Sequence, residues 1–232
     1  MAALPAPTVV ELDVPVATYA LGPEGGRVPG GQAEVDVVLC HGTPWSARVW
    51  APVAHLLARR RRVHLWDMPG YGASIPHTSR GAPAAVDLVA QRRRLVADHE
   101  DVFAALPAPL HRALVREYVA GAGGPGLAPG LPGELADPWE GAEGQAAFYR
   151  QVAALRPEYT RPIVERLGDV RAPVAIGWGE VDPWIPVEQA SELARRLPGD
   201  PVVTVLPGVG HLAPLEAPGA VADLISGHLA SP

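Results

Sequence analysis

The chain of 232 residues contains no lysine, no asparagine and a single cysteine, Cys40. Without lysine, the protein cannot form a Schiff base on a lysine side chain or use the lysine of a nucleotide-binding Walker loop. One cysteine cannot form a disulfide within the chain, and its scarcity predicts a reducing, cytoplasmic location. These absences exclude several classes of enzyme before any motif is considered.

Positively charged side chains are fewer than negatively charged ones. The 19 arginines and the 25 aspartate and glutamate residues give a formal net charge of −6. Two short arginine clusters, at 59–62 and 92–94, are interpreted as solvated helix ends, with a polyanion site as the alternative. No apolar run approaches the roughly 18 residues of a membrane span, and residues 1–5 lack the pattern of a signal peptide. We therefore expect no nucleic acid partner and no membrane. Neither a cofactor nor a metal ion is predicted.

Strand and helix patterns alternate at both ends of the chain, whereas the middle shows only helical spacing. Residues 1–99 and 169–232 are predicted to form the two parts of an α/β core, and residues 100–168 a helical cap. This order predicts a mainly parallel sheet flanked by helices, with the cap as an insertion. The predicted strands are 9–16 and 17–21 as a hairpin, 35–40, 62–66, 173–178 and 202–206; the predicted core helices are 47–60, 84–99, 187–197 and 217–229.

Three of the predicted strands end in residues suited to chemistry. A tight turn, His-Gly-Thr-Pro at 41–44, follows the first; Asp182 follows the second, and His211 follows the third. A catalytic histidine needs a carboxylate beside Nδ1, and the ends of neighbouring parallel strands bring such groups together. Glu180 is an alternative acid, and the alternative interpretations are a helix cap for Asp182 and a turn residue for His211.

These strand ends, together with the segment Asp-Met-Pro-Gly-Tyr-Gly at 67–72, resemble the α/β-hydrolase superfamily, and most of all its haloalkane dehalogenase and epoxide hydrolase branch. The resemblance covers the two parts of the core and likens the middle block to that family's cap. It implies Asp182 as the catalytic acid, His211 as the catalytic base and the backbone N–H of Thr43 as half of an oxyanion hole. It implies a structural role for Asp67, with a nucleophile as the alternative. His41 is interpreted as a structural residue, with a proton carrier as the alternative.

The nucleophile of that family is missing from the sequence. It sits on a strand–turn–helix elbow, typically Gly-x-Ser-x-Gly, and none of the six serines has that context. Ser74 is followed by Ile-Pro, and Cys40 is expected inside a buried strand, where a thiol is inert. The serines are Ser46, Ser74, Ser79, Ser191, Ser226 and Ser231.

Compared with the family, about one strand–helix–strand unit is absent, with the junction between Val86 and Val96. The central sheet is therefore expected to be shortened. The strand ending at Cys40 would lose a neighbour, and we predict that it pairs directly with the strand at 173–178, since an open edge invites aggregation.

The leading hypothesis is an α/β-hydrolase acting on a small apolar ester, epoxide or halide-type substrate, with activity impaired by the missing elbow. His211 retains the ability to activate water as a general base. The alternatives are a non-catalytic protein that binds a small ligand and an inactive, internally deleted homologue. A predicted apolar cleft is lined by Trp45, Trp139, Phe148 and Tyr149.

Overall fold

The structure is a computed structural model that describes residues 3–23, 35–77, 96, 98–155 and 157–230. Most of the predicted helix at 84–99, most of the predicted junction between Val86 and Val96, and Ser79 lie outside these residues. Within them, strands and helices alternate at both ends of the chain, and helices fill the middle.

The first sheet is built by the N-terminal part of the chain. Its strands are β1 (Thr8–Val10), β2 (Val16–Leu21), β3 (Val37–Leu39) and β4 (Val63–Trp66), in the order β1-β2-β4-β3. β2 runs antiparallel to β1 and β4, whereas β3 runs parallel to β4. The predicted hairpin is confirmed, but its first strand is shorter because a bend occupies the residues before Val16.

The crossover between β3 and β4 covers one face of this sheet. A 3₁₀ turn, Ala47–Trp50, leads into helix α1 (Ala51–Leu57), which has a proline in its first turn, where no backbone donor is lost. Val53 and Leu57 of α1 are buried in the same apolar cluster as Leu39 and Leu65 of the sheet. This packing fixes the turn after β3, which contains Thr43.

Five helices follow in the middle of the chain: α2 (Glu100–Ala104), α3 (Ala108–Ala120), α4 (Leu131–Ala136), α5 (Gly141–Ala154) and α6 (Pro157–Glu165). No strand occurs between residues 98 and 169 in the part that the structure describes. A second core forms here around the buried side chains of Val115, Val119, Trp139 and Phe148. The division into a core and a cap at residues 99 and 168 stays a prediction.

The C-terminal part carries a second sheet of two parallel strands. β5 (Ala175–Gly179) is followed by helix α7 (Glu188–Arg196), and β6 (Val202–Leu206) by the short helix α8 (Ala213–Glu216) and by α9 (Pro218–Ala230). The two strands pair from Ala175 with Val202 to Gly179 with Leu206. Their carboxyl ends therefore lie side by side, and Asp182 and His211 follow from them.

The predicted pairing between β3 and β5 is wrong: among the described residues they belong to separate sheets. Helix α9 packs Val221 and Ile225 against the apolar cluster of the first sheet. A cavity of about 450 Å³ lies between the end of β3, the second sheet and α9. The α/β fold class is confirmed, with a mixed first sheet and a parallel second one.

The segment before the His-Gly-Thr-Pro turn is not the buried strand that its composition predicts. Val37 and Leu39 are buried, but Val38 is 65% exposed, and Cys40 lies beyond the strand and is exposed. Successive side chains of a strand point to opposite faces, and α1 covers only the face of Val37 and Leu39. Cys40 is therefore not the buried, inert thiol that the sequence predicts.

Candidate active site

His211 and Asp182 meet at the carboxyl ends of β6 and β5. The Nδ1 atom of His211 lies 2.9 Å from Oδ2 of Asp182, and their side chains are 20% and 6% exposed. The backbone N–H of His211 donates to the carbonyl of Ala122 in the loop after α3. An acceptor at Nδ1 places the proton there and leaves Nε2 unprotonated in the neutral ring, which is the form of a general base.

The carboxylate of Asp182 is held on both of its oxygens. Oδ1 accepts the backbone N–H groups of Trp184 and Ile185 at 2.8 and 2.9 Å, while Oδ2 faces His211. Burial by itself raises the pKa of Asp182, but the hydrogen bonds from His211, Ile185 and Trp184 outweigh it and hold the pKa below its ordinary value. Asp182 is thus a fixed anion beside the imidazole at neutral pH.

Glu180, the alternative acid, serves a different purpose. Its carboxylate accepts the backbone N–H of Gly208 at 2.8 Å, and its own N–H donates to the carbonyl of Leu206. These bonds tie the loop after β5 to the loop after β6. Asp182, rather than Glu180, is the partner of His211 in this arrangement.

Thr43 lies in the turn after β3 and is only 8% exposed. Its hydroxyl is 2.7 Å from the hydroxyl of Tyr71, and the N–H of Trp45 donates back to the carbonyl of Gly42, which closes the turn. The backbone N–H of Thr43 makes no hydrogen bond to any residue that the structure describes. Thr43 and His211 both line the 450 Å³ cavity.

His41 and Asp67 hold the turns around the site through buried hydrogen bonds. Nδ1 of His41 donates to the carbonyl of Gly42, and Nε2 accepts the N–H of Met68. Burial lowers the pKa of His41, which keeps the ring neutral. Since both ring nitrogens are occupied, His41 has no free position for proton transfer.

Asp67 is 1% exposed and accepts three hydrogen bonds. They come from the N–H groups of Ala47 and Ala73 and from the hydroxyl of Tyr19, at 2.7 to 2.8 Å. Burial, and then the charge of Asp67, raise the pKa of Tyr19 far above its ordinary value. A Cβ on Gly72, which has φ +47°, would lie 2.4 Å from the Asp67 carboxylate. Asp67 thus joins β2, the turn before α1 and the Gly72 turn.

Ser74 is held inside the fold and is not among the residues that line the cavity beside His211. The hydroxyl of Ser74 is fully buried, donates to the carbonyl of Asp67 and accepts the N–H of Ala17. Nε2 of His211 makes no hydrogen bond to another residue of the described ranges. Ser79 and Ser231 lie outside those ranges.

Trp184 was not among the residues that the sequence singled out. Its ring lies 4.9 Å from the ring of His211, 5.6 Å from that of Trp45 and 4.9 Å from that of Tyr118 on α3. Trp184 therefore contacts His211, the turn that carries Thr43 and Trp45, and the helical block. Its position two residues after Asp182 was the only signal in the sequence, and its three partners are distant along the chain.

Glu216, at the end of α8, was missed as well. Its two oxygens accept the backbone N–H groups of Gly124, Gly210 and Leu212 at 3.0 to 3.3 Å. The loop after α3 and the loop that carries His211 are thereby held together. An acid five residues after His211 could have suggested a local turn contact, but nothing in the sequence indicated the distant Gly124.

The four aromatic residues predicted to line one apolar cleft divide between two places. Trp45 lines the 450 Å³ cavity beside Thr43 and His211. Trp139, Phe148 and Tyr149 are buried in the core of the helical block, with ring centroids of neighbouring members 5.2 to 5.5 Å apart. Their contribution is mainly to the packing of that block.

The described residues contain no cluster of three or more histidine, cysteine, aspartate or glutamate side chains that could hold a metal ion. No helix among them is long and apolar enough to cross a membrane.

Residues 37–106 match the model of the alpha/beta hydrolase family. A pimeloyl-[acyl-carrier protein] methyl ester esterase of Sodalis glossinidius is 46% identical over 44 residues, which are 19% of this chain and 17% of that protein. The chain thus matches only a small part of the length of this curated relative.

Solved structures resemble the chain over nearly its whole length. An alpha/beta hydrolase fold protein from Burkholderia ambifaria is 28% identical with a TM-score of 0.77, covering 94% of this chain and 96% of that one. A haloalkane dehalogenase loop variant from Bradyrhizobium elkanii is 15% identical with a TM-score of 0.62, covering 98% and 96%, and shares the fold. These likenesses and the order of strands, turns and helices show the α/β-hydrolase fold, and residues 37–106 also match the model of that family.

Proposed function

We propose that this protein is a carboxylic ester hydrolase in which His211, oriented by Asp182, activates water. The contact of 2.9 Å between Nδ1 of His211 and the buried carboxylate of Asp182 is the observation that carries the proposal. A histidine with its tautomer fixed in this way gains little for folding from an open Nε2, but needs it to accept a proton from a reactant.

The reaction uses groups that lie around the 450 Å³ cavity. Nε2 of His211 takes a proton from water as the water oxygen attacks the ester carbonyl carbon. The resulting oxyanion accepts a hydrogen bond from the backbone N–H of Thr43, which has no partner among the described residues. The intermediate then expels the alcohol, which leaves with the proton held by His211, and the carboxylic acid remains.

This route predicts modest rates. General base catalysis contributes about 10²–10⁴-fold, and an oxyanion donor adds about 10²–10³-fold. This route uses neither a covalent intermediate on a nucleophile elbow nor the second oxyanion donor that such an elbow supplies. An ester is favoured over an epoxide or a halide, because the curated relative of Sodalis glossinidius is an esterase and the Thr43 N–H suits a carbonyl oxygen.

The test is hydrolysis of p-nitrophenyl esters, with an epoxide and a haloalkane for comparison. His211→Ala should lose the general base, which is about 10²-fold or more of the ester rate, while His228→Ala on α9 serves as the matched histidine control. Equal rates in wild type and His211→Ala would overturn the proposal. Turnover of the epoxide or haloalkane in place of the esters would overturn the choice of ester.

A second candidate function is retention of a small apolar ligand without turnover. The observation in its favour is the cavity, which falls in the size range of small-molecule sites, about 300–1,000 Å³. A ligand that binds wild type and His211→Ala equally, with no hydrolysis by either, would favour this function over catalysis.

A further inference from the structure

We propose that the cavity between the turn after β3, the second sheet and α9 binds an aliphatic acyl chain, whose carbonyl end lies at Thr43 and His211. The proposal rests on the ester hydrolase function and adds the substrate class to it. It places the chain beside α9, on the side of the site away from the helical block.

The walls of the cavity come from the turn after β3, the second sheet and α9. Gly42, Thr43 and Trp45 contribute from the turn after β3, Gly177 from β5, and Val221, Leu224 and Ile225 from α9. β3 and β5 do not pair in the part of the chain that the structure describes. The cavity extends from the turn after β3, at the candidate active site, to α9.

The wall that α9 contributes to the cavity is aliphatic. The α9 positions Val221, Leu224 and Ile225 are spaced i, i+3 and i+4, so they form one aliphatic stripe. Trp50 offers only its ring, because its indole N–H already donates to the carbonyl of Cys40. A polar group of a ligand buried against this stripe would lose its hydrogen bonds to water without compensation. The deep part of the ligand is therefore hydrocarbon.

The polar side chains of the described lining belong to the candidate active site. Among the lining residues that the structure describes, only Thr43 and His211 carry polar side chains, apart from the indole nitrogens of the two tryptophans. Both belong to the candidate active site, so an amphiphilic ligand has only one orientation that satisfies its polar group. Its carbonyl lies beside His211 and its chain runs toward α9.

Gly177 shows how closely β5 and α9 approach. A Cβ at position 177 would lie 2.9 Å from Cδ1 of Leu224. Leu224 lies over β5 beside the cavity and is not part of the apolar cluster of the first sheet, unlike its neighbours Val221 and Ile225. A larger side chain at position 224 should fill the cavity and leave that cluster intact.

The experiment measures binding of 2-pentanone, 2-heptanone and 2-nonanone by calorimetry. These ketones carry a carbonyl and a linear chain but no leaving group, so binding is separated from turnover. Burial of each methylene should strengthen binding about fourfold until the cavity is full. An affinity that does not depend on chain length in the wild-type protein would overturn the proposal, and this arm needs no variant.

A matched pair of variants locates the binding. Leu224→Trp should abolish the dependence on chain length, whereas Leu229→Trp, on the same helix at a position 36% exposed and outside the lining, should keep it. Circular dichroism establishes that both variants are folded. Unchanged binding by folded Leu224→Trp would overturn the proposed location.

The two proposals fail separately. In His211→Ala the dependence of ketone binding on chain length should persist, because the aliphatic stripe of α9 is unchanged. Chain-length dependence without ester hydrolysis would sink the catalytic function alone. Ester hydrolysis with no chain-length dependence would sink the acyl-chain site alone.

Discussion

At the scale of single residues, Asp182 has two tasks, because one oxygen orients His211 and the other closes its own turn. The hydrogen bonds to Trp184 and Ile185 hold the carboxylate in place whether or not His211 is protonated. A carboxylate stabilised in this way stabilises the fold as well as the base.

The lowered pKa of Asp182 predicts the pH dependence of its contribution to stability. The stabilisation is complete above the unfolded pKa of about 3.9 and is lost as pH falls through the lower pKa of the folded state. Asp182→Asn should therefore unfold more easily than wild type by about 2 kcal/mol at about pH 7, and by a smaller amount at about pH 2, where less of the stabilisation remains.

Urea unfolding at the two pH values measures this difference. Glu180→Gln is the control, since its carboxylate is exposed and holds a single backbone N–H. A destabilisation by Asp182→Asn of the same size at both pH values would contradict the assignment.

Asp67 gives a second prediction at this scale. In Asp67→Asn, an amide N–H₂ group would replace one of the two oxygens that now accept the N–H of Ala47, the N–H of Ala73 and the hydroxyl of Tyr19. The free energy of unfolding should fall by about 2–3 kcal/mol, because buried donors are left unsatisfied. Urea unfolding measures it, and Asp36→Asn, which removes an exposed contact to His64, should change it by less than about 1 kcal/mol.

At the scale of elements, the loop after α3 and the loop that carries His211 lie back to back. A Cβ on Gly124 would lie 2.6 Å from the backbone N of Gly210 and 2.5 Å from the Glu216 carboxylate. His211 is thus positioned by a contact between two glycines, and Glu216 bonds to both of them.

Gly124→Ala should push these two loops apart. Overpacking of this kind lowers the free energy of unfolding by about 1–3 kcal/mol. The hydrogen bond between His211 and Asp182 should weaken as well. Thermal unfolding and the NMR signal of the His211 Nδ1 proton measure the two effects. Gly130→Ala is the control, since nothing lies within 4 Å of a Cβ there; equal effects of the two substitutions would contradict this role.

Local patterns were sufficient to predict most elements. The alternation in Val202–Leu206 gave β6 with its observed bounds, and helical spacing gave α7 and α9 to within one residue. Asp182 and His211 were selected because each follows a strand, which is also a local feature. Trp184, Glu216 and Gly124 were missed because their contacts join segments that are far apart in sequence.

At the scale of the whole molecule, the exposure and the pairing of β3 depend on packing between distant segments, which a local sequence pattern does not indicate. Its apolar composition predicted burial, and the missing strand–helix–strand unit predicted a new partner strand. Among the described residues β3 pairs only with β4, and Val38 is 65% exposed. Exposed apolar strands at a sheet edge favour association between molecules.

Two adjacent positions in β3 test this. Val38→Lys should leave the free energy of unfolding within about 0.5 kcal/mol and reduce aggregation, because a charged edge resists strand pairing. Val37→Lys, at a position 8% exposed, should cost about 3 kcal/mol or more, because it buries a charge. Light scattering and urea unfolding measure the two properties, and a large loss of stability in Val38→Lys would contradict the exposed face.

In the proposed function, His211 activates water and no side chain carries the acyl group. Intact-protein mass spectrometry during turnover of a p-nitrophenyl ester tests this most directly. The protein mass should stay unchanged while p-nitrophenol is released at a rate that depends on His211. A gain in mass equal to one acyl group, on Ser79 or any other residue, would contradict it.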